Sequence, residues 1–297
     1  MPPMTETARG SGAGDKLGAA TDLGRLALNV EDLAVVAPFY ETGVGLARLE
    51  DSGDRLLLGS HGRPVLELYQ RPELPRPTPG SAGLYHTAIL FDERSDLAAA
   101  LYATALGFGG SFTGSADHLV SQAFYFNDPE GNGVELYWDR PRSEWRWSGG
   151  EVAMDSLPLD PNSFIREHAV MEGSEPKAPE GAHARLGHVH LKVGDVATAR
   201  AFYVDTLGFD VTASMWHSAL FASAGGYHHH LGMNVWESRG AAMRADTLGL
   251  AYFEIQASAS DLAAARERLE RAGVAIEEGA GYLGVRDPWG TLVKLRT

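Results

Sequence analysis

The chain has 297 residues, 44% of them hydrophobic, enough to bury one large core or two medium ones, and a formal net charge of −14. That acidity argues against a nucleic-acid partner, which needs a basic face to neutralise phosphates, and no apolar run approaches membrane-spanning length. With no cysteine, disulfides, thiolate metal sites and cysteine nucleophiles are excluded; a transition metal must be held by histidine and carboxylate, and a reducing cytoplasm is the expected setting.

Residues 1–22 (MPPMTETARGSGAGDKLGAATD) are rich in Gly, Ala and Thr and lack the apolar segment of a signal peptide, which predicts a flexible leader. From there one unit is written four times. GRLALNV, YHTAILF, GHVHLKV and LAYFEIQ read as strands. Each precedes a segment that opens on Asp, repeats apolar residues at i, i+3, i+4 and i+7, and closes near Gly, predicting helices from Asp32, Asp96, Asp195 and Asp261. Further apolar or alternating runs end on LELYQRP, VELYWDRP, LGMNVW and LVKLR. Each copy is thus strand, helix and about three strands, over roughly 45–55 residues. The fold class is α+β, four βαβββ modules in two domains. Residues 23–139 hold modules one and two, 184–297 hold modules three and four, and the Pro-rich, acidic stretch 140–183 links them with some helix.

Equivalent positions of the four copies should occupy equivalent places. On the first strand they are Arg25, His86, His188 and Leu250. On the last strand Glu67, Glu135 and Lys294 correspond, while module three is harder to align and carries Tyr227, His228, His229 and His230 before its last strand. Metal-capable residues at both kinds of position are concentrated in the middle of the chain.

The repeated module and the segments DHLVSQAFYFNDPEGNGVELYWDRP and GYHHHLG resemble the vicinal oxygen chelate superfamily of glyoxalases, extradiol dioxygenases and bleomycin-resistance proteins, and more narrowly its catechol 2,3-dioxygenase branch. The resemblance runs from Leu23 to Arg296. It implies that two modules pair into a cup of strands that holds a divalent metal on first- and last-strand residues. Pairing modules in chain order gives neither cup two histidines. Pairing two with three collects His86, His188 and Glu135, the two-histidine, one-carboxylate set that suits Fe(II) and is also accepted by Mn(II). The remaining pair, one with four, then holds Arg25, Glu67, Leu250 and Lys294 in a metal-free, charge-compensated group. Two-domain extradiol enzymes keep their ligands in the second domain, and Leu250 and Lys294 depart from that pattern.

The same resemblance assigns Tyr125, ten positions before Glu135, to substrate contact and His118 to the surroundings of the oxygen site. It places the acid–base residue in the run His228–His230; strand alternation sends His228 and His230 to one face and His229 to the other, so the alignment does not single one out, and His229 and His230 are the candidates. The implied reaction opens an aromatic vicinal diol with O2 beside its hydroxyl groups. A homo-oligomer is compatible with the resemblance, and nothing in the sequence fixes its size.

Each residue has a plainer reading. A lone strand histidine is more often structural; recurrence at matching positions is what raises His86 and His188 above that. Glu135 has apolar flanks in VELYW, and a buried carboxylate needs a partner. Tyr125 also fits a strand core, His190 shares a face with His188, His61 and His217 fall in loops, and DPEG and DPWG are first of all turns. Two other functions fit the same fold: a metal-dependent glyoxalase-like isomerase or lyase, with Glu67 as a fourth ligand, and a metal-free protein that binds an aromatic ligand.

Overall fold

A computed structural model describes residues 16–297. The first module is β1 (Asp22–Val30), α1 (Leu33–Pro38), β2 (Ala47–Asp51), β3 (Arg55–Ser60) and β4 (Arg63–Gln70). The second is β5 (Gly83–Phe91), α2 (Arg94–Gly107), β6 (Phe112–Asp117), β7 (Ser121–Asn127) and β8 (Gly133–Asp139). The connector carries β9 (Trp147–Ser148), β10 (Glu151–Val152), α3 (Pro161–His168), β11 (Met171–Glu172) and β12 (Glu175–Pro176). The third module is β13 (Ala184–Lys192), α4 (Val196–Arg200), β14 (Asp210–Met215), β15 (Ala219–Ser223) and β16 (Leu231–Asn234). The fourth is β17 (Gly249–Gln256), α5 (Ala259–Arg271), β18 (Ile276–Gly279), β19 (Tyr282–Arg286) and β20 (Leu292–Arg296).

Within each module the helix is the crossover that lets the last strand run parallel to the first, as β8 does beside β5 and β4 beside β1. First strands then pair antiparallel between modules, and this choice sets the architecture. β5 pairs with β13 and β1 with β17, giving two curled, mixed eight-stranded sheets in the orders β14-β15-β16-β13-β5-β8-β7-β6 and β18-β19-β20-β17-β1-β4-β3-β2. Hydrogen bonding therefore joins module two to three and module one to four, across the chain-order division into 23–139 and 184–297. Neighbouring modules of the chain meet through side chains. Tyr40 of module one donates to Asp128 of module two (3.1 Å), and Tyr203 of module three donates to Asp287 of module four (2.8 Å). Each Asp also accepts two backbone N–H groups of its own DPEG or DPWG turn.

Two helices start where the sequence predicts, with Asp32 and Asp195 capping Ala34 N and Thr198 N. The other two start earlier: α2 from Glu93, and α5 from Ser258, whose hydroxyl accepts from Asp261 N. Helices α1 and α4 widen into π-turns at Phe39–Gly43 and Ala201–Thr206, which bury Phe39, Tyr40, Phe202 and Tyr203. Each large apolar side chain so removed from water contributes roughly 1.5–3 kcal/mol. In the connector, α3 lays Phe164 on Phe124 of β7 (ring centroids 4.9 Å).

The leader reading falls partly outside the described residues. Where it can be compared it is corrected: Leu17 and Thr21 are buried, Leu17 N bonds Gly208 O (2.8 Å), and β1 begins at Asp22.

Candidate metal centre

Strand register builds the site. His188 of β13 lies opposite Ala88 of β5, Ala88 beside Glu135 of β8, and Glu135 opposite Tyr125 of β7. Since side chains of paired residues share a face, these four form one row across the cup floor, and His86 and His190, paired two residues along, form the next. Ala88, the smallest member, leaves the space into which its neighbours reach. A bulge between Leu186 and His188 seats the histidine, and only glycine fits the extra position, because a Cβ on Gly187 would lie 1.8 Å from Tyr137 Oη.

The three predicted ligands converge. Glu135 Oε2 lies 2.9 Å from His86 Nε2 and 3.2 Å from His188 Nε2, the two nitrogens are 3.4 Å apart, and all three residues are buried. Among the described residues they form a group able to hold a metal ion. The donor chemistry fits a divalent cation. Burial opposes ionisation of Glu135, but the imidazoles of His188 and His86 outweigh it and hold the carboxyl well below the usual range. Burial pushes the His188 imidazole down despite Glu135. No Arg or Lys among the described residues ion-pairs with this carboxylate, so a cation between the three donors would compensate a buried charge that no Arg or Lys meets. Coordination through Nε2 puts the His188 proton on Nδ1, a buried atom with no hydrogen-bond partner.

Two polar chains flank the group. On one side His118 Nδ1 lies 2.7 Å from Asp155 O and Nε2 lies 2.6 Å from Tyr125 Oη. A carbonyl only accepts, so a neutral His118 carries its proton on Nδ1 and takes the Tyr125 O–H at Nε2. Burial and the Glu135 charge raise the Tyr125 hydroxyl well above its ordinary pKa, keeping it protonated. On the other side His228 Nε2 lies 2.8 Å from Asp139 Oδ1, and His228 Nδ1 lies 2.7 Å from His229 Nδ1. A neutral His228 donates its Nε2–H to the Asp139 carboxylate, and its Nδ1 then accepts from His229. Nε2 of His229 is left unprotonated, without a protein partner among the described residues, on a ring whose centroid lies 4.2 Å from that of His188 at a tilt of 50°. Burial, with His188 next, holds His229 well below the ordinary histidine value.

The structure thereby separates the two acid–base candidates. His229 lines the same cavity as His86, Glu135 and His188, whereas His230 turns away. Its Nδ1 accepts from Ala224 N (3.2 Å), its Nε2 lies 3.8 Å from Asp22, and it lines a separate cavity of about 170 Å³ with Arg142 and Arg185. The expectation that His230 could serve the site is corrected on this ground. Residues 227–230 form an irregular segment before β16, so strand alternation does not govern them. His190, buried and 3.0 Å from Asn234 Nδ2, lines the main cavity as its shared face with His188 suggested. Asp139 was not singled out from sequence, although a period of two places it on the face of Glu135, four residues earlier.

The same register logic identifies the counterparts in the other sheet. Glu67 lies beside Ala27, two residues after Arg25, and Lys294 lies beside Glu254, two residues after Tyr252. The module-four counterpart of His86 is therefore Tyr252, not Leu250, and Gly232, beside His190, is the module-three counterpart of Glu135. This second group is closed on itself. Glu67 pairs with Arg55 and Tyr252 and lies 3.4 Å from Arg25; Arg25 and Arg296 reach Glu254 at 3.3 and 3.0 Å; Lys294 Nζ sits 3.3 Å over the Tyr252 ring.

The family model described as Glyoxalase/Bleomycin resistance protein/Dioxygenase superfamily matches residues 22–136 and 185–295. The chain is 36% identical over 274 residues to the catechol-2,3-dioxygenase of Bacillus subtilis (strain 168), covering 90% of this chain and 94% of that one. At the level of fold it is similar to glyoxalase I from Zea mays (TM-score 0.56, 17% identity, 93% of this chain and 92% of that one) and to the cppA protein from Streptococcus pneumoniae TIGR4 (TM-score 0.57, 14% identity, 93% and 97%). With its four modules, two mixed sheets and a His–Glu–His group in one of them, the chain belongs to the glyoxalase, bleomycin resistance protein and dioxygenase superfamily.

Proposed function

We propose that the protein is an extradiol ring-cleaving dioxygenase that inserts O2 into a catechol-type substrate next to its vicinal diol, with Fe(II) held by His86, His188 and Glu135. One observation carries this reading. The His–Glu–His group, the Tyr125–His118 pair and His229 open on a single cavity of about 1030 Å³. The 36% identity to a catechol-2,3-dioxygenase over nearly its whole length supports it.

His86, His188 and Glu135 would hold Fe(II), or Mn(II), which accepts the same donors, and the metal would supply binding of the diol oxygens and activation of O2. The protein's own groups handle protons and position. His229 Nε2 is placed to take a proton from a diol hydroxyl and to return it as the ring-opened product forms, and its depressed basicity suits a group that must release what it accepts. His228 and Asp139 fix the tautomer that turns this lone pair to the cavity. Tyr125, its O–H committed to His118, presents its oxygen lone pairs to a substrate hydroxyl. Tyr85, Phe221 and Trp236 line the cavity as walls for an aromatic ring.

The isomerase reading calls for a fourth protein ligand, and the geometry disfavours it. Gly232 holds the matching position, and Glu67 is engaged in the other sheet with Arg25, Arg55 and Tyr252. The test is to load the purified protein with Fe(II) under anaerobic conditions and follow oxygen and absorbance on adding catechols. Equal consumption of O2 and diol with a yellow ring-opened product is expected. Bound metal without oxygen uptake across neutral and charged catechols would move the protein to the isomerase class.

A further inference from the structure

The cavity extends well beyond the metal group. One end holds His86, Glu135 and His188, and Gly83, Lys192, Arg244, Thr247 and Leu248 also line it. Gly83 precedes His86 by three residues on β5, roughly 10 Å at the rise of a strand. A Cβ on Gly83 would lie 4.0 Å from Arg244 Cδ, so the Arg244 stem overhangs the strand that carries the first ligand. The volume of about 1030 Å³ matches the upper end of pockets for drug-sized ligands and exceeds what a single-ring diol fills.

Arg244 is charged, mostly withdrawn from water and poorly matched. One Nη donates to Leu250 O at 2.9 Å, Nε is buried without an acceptor, and no ion pair forms with it among the described residues. The nearby Asp287 carboxylate is taken up by Tyr203 and its own turn, and Asp246 is exposed. Lys192, by contrast, has Glu237 at 3.8 Å. The other acidic groups lining the cavity, Glu151 and Asp155, come from the connector, whose Asp155 carbonyl meets His118 at the metal end. A guanidinium held this way pays for desolvation without the bidentate anion its planar fork is shaped to bind. Tyr85 and Trp236, with ring centroids 5.4 Å apart, also line the cavity.

We propose that the substrate is an aromatic vicinal diol whose ring bears an arm ending in a carboxylate, with that carboxylate bound by Arg244. The diol end of this inference rests on the ring-cleavage reading; the carboxylate end rests on Arg244 alone.

The experiment compares dihydrocaffeate with its methyl ester on the iron-loaded protein, with propylcatechol as the uncharged reference of similar length. The expected result is a preference of at least tenfold in kcat/KM for the free acid over the ester. Arg244→Gln should erase it through a rise in KM for the acid, and Arg244→Lys should retain part of it. Hydrocinnamate, which has the carboxylate arm and no diol, is titrated separately by tryptophan fluorescence, and Arg244→Gln should weaken its binding at least tenfold. Equal use of acid and ester by the wild type, or an unchanged ratio in Arg244→Gln, overturns the inference. Absence of oxygen uptake with all three catechols overturns the ring-cleavage reading, and the hydrocinnamate titration then still decides whether Arg244 binds a carboxylate.

Discussion

Replacing His229 with glutamine should stop turnover and leave the metal in place. The ring packs against His188 with centroids 4.2 Å apart, but its hydrogen bond runs from Nδ1 to His228, so His229 is outside the donor group formed by His86, Glu135 and His188. A positioned general acid–base group contributes typically 10²–10⁴-fold, about 3–5 kcal/mol of barrier. We therefore expect His229→Gln to lose kcat by about that factor, with metal stoichiometry near that of the wild type. His230→Gln is the matched control, since His230 faces the smaller cavity beside Asp22 and should keep kcat within a few-fold. The assay is steady-state oxygen uptake at saturating catechol, normalised to bound iron measured on the same sample. The assignment fails if His230→Gln is the inactive variant, or if His229→Gln loses its iron and so behaves as a ligand.

Three further outcomes follow from the same geometry. Asp139→Asn replaces a charge-assisted acceptor of His228 with a neutral amide; we expect kcat to fall roughly tenfold, equivalent to about 1.4 kcal/mol, with KM little changed, whereas a rise in KM alone would contradict a positioning role. Glu67→Gln takes one carboxylate from Arg25 and Arg55, which keep Glu254 and Glu50, and should cost about 2 kcal/mol in a urea denaturation series while leaving metal stoichiometry unaltered; loss of metal would show that the second group is not independent of the first. Burial pushes His230 down from 6.5 to about 4, so the unfolded chain binds the extra proton between those values. Its contribution, on the order of 3 kcal/mol, is fully present above the unfolded value and is lost as pH falls toward the folded one. His188, His190 and His229 are shifted in the same direction, so the urea midpoint of the metal-free protein should fall from pH 7 to pH 5, and a flat profile would contradict the assignment of these buried imidazoles as neutral.

The fold and the ligand set were legible for one physical reason. A module repeated four times puts equivalent residues in equivalent places, so His86, His188 and Glu135 could be matched without coordinates, and only one pairing of modules brings two histidines together. Register was less legible. Sequence alignment of the modules places Leu250 where hydrogen bonding gives Tyr252, two residues on, because an apolar run such as LAYFEIQ, buried on both faces, does not mark its own alternation. The roles of His228, His229 and His230 were not readable either, since the segment is irregular and their directions are set by Asp139, His188 and Asp22 from distant parts of the chain. Arg244 lies between the third and fourth modules, outside the repeat, so no counterpart drew attention to it.

The most direct test of the central claim is to run the iron-loaded protein with a catechol under heavy-isotope O2 and weigh the product. A single ring-opened product carrying both labelled oxygen atoms is expected, formed in proportion to bound iron and absent from Glu135→Gln. An unlabelled product, or one whose ring remains closed, would contradict the claim.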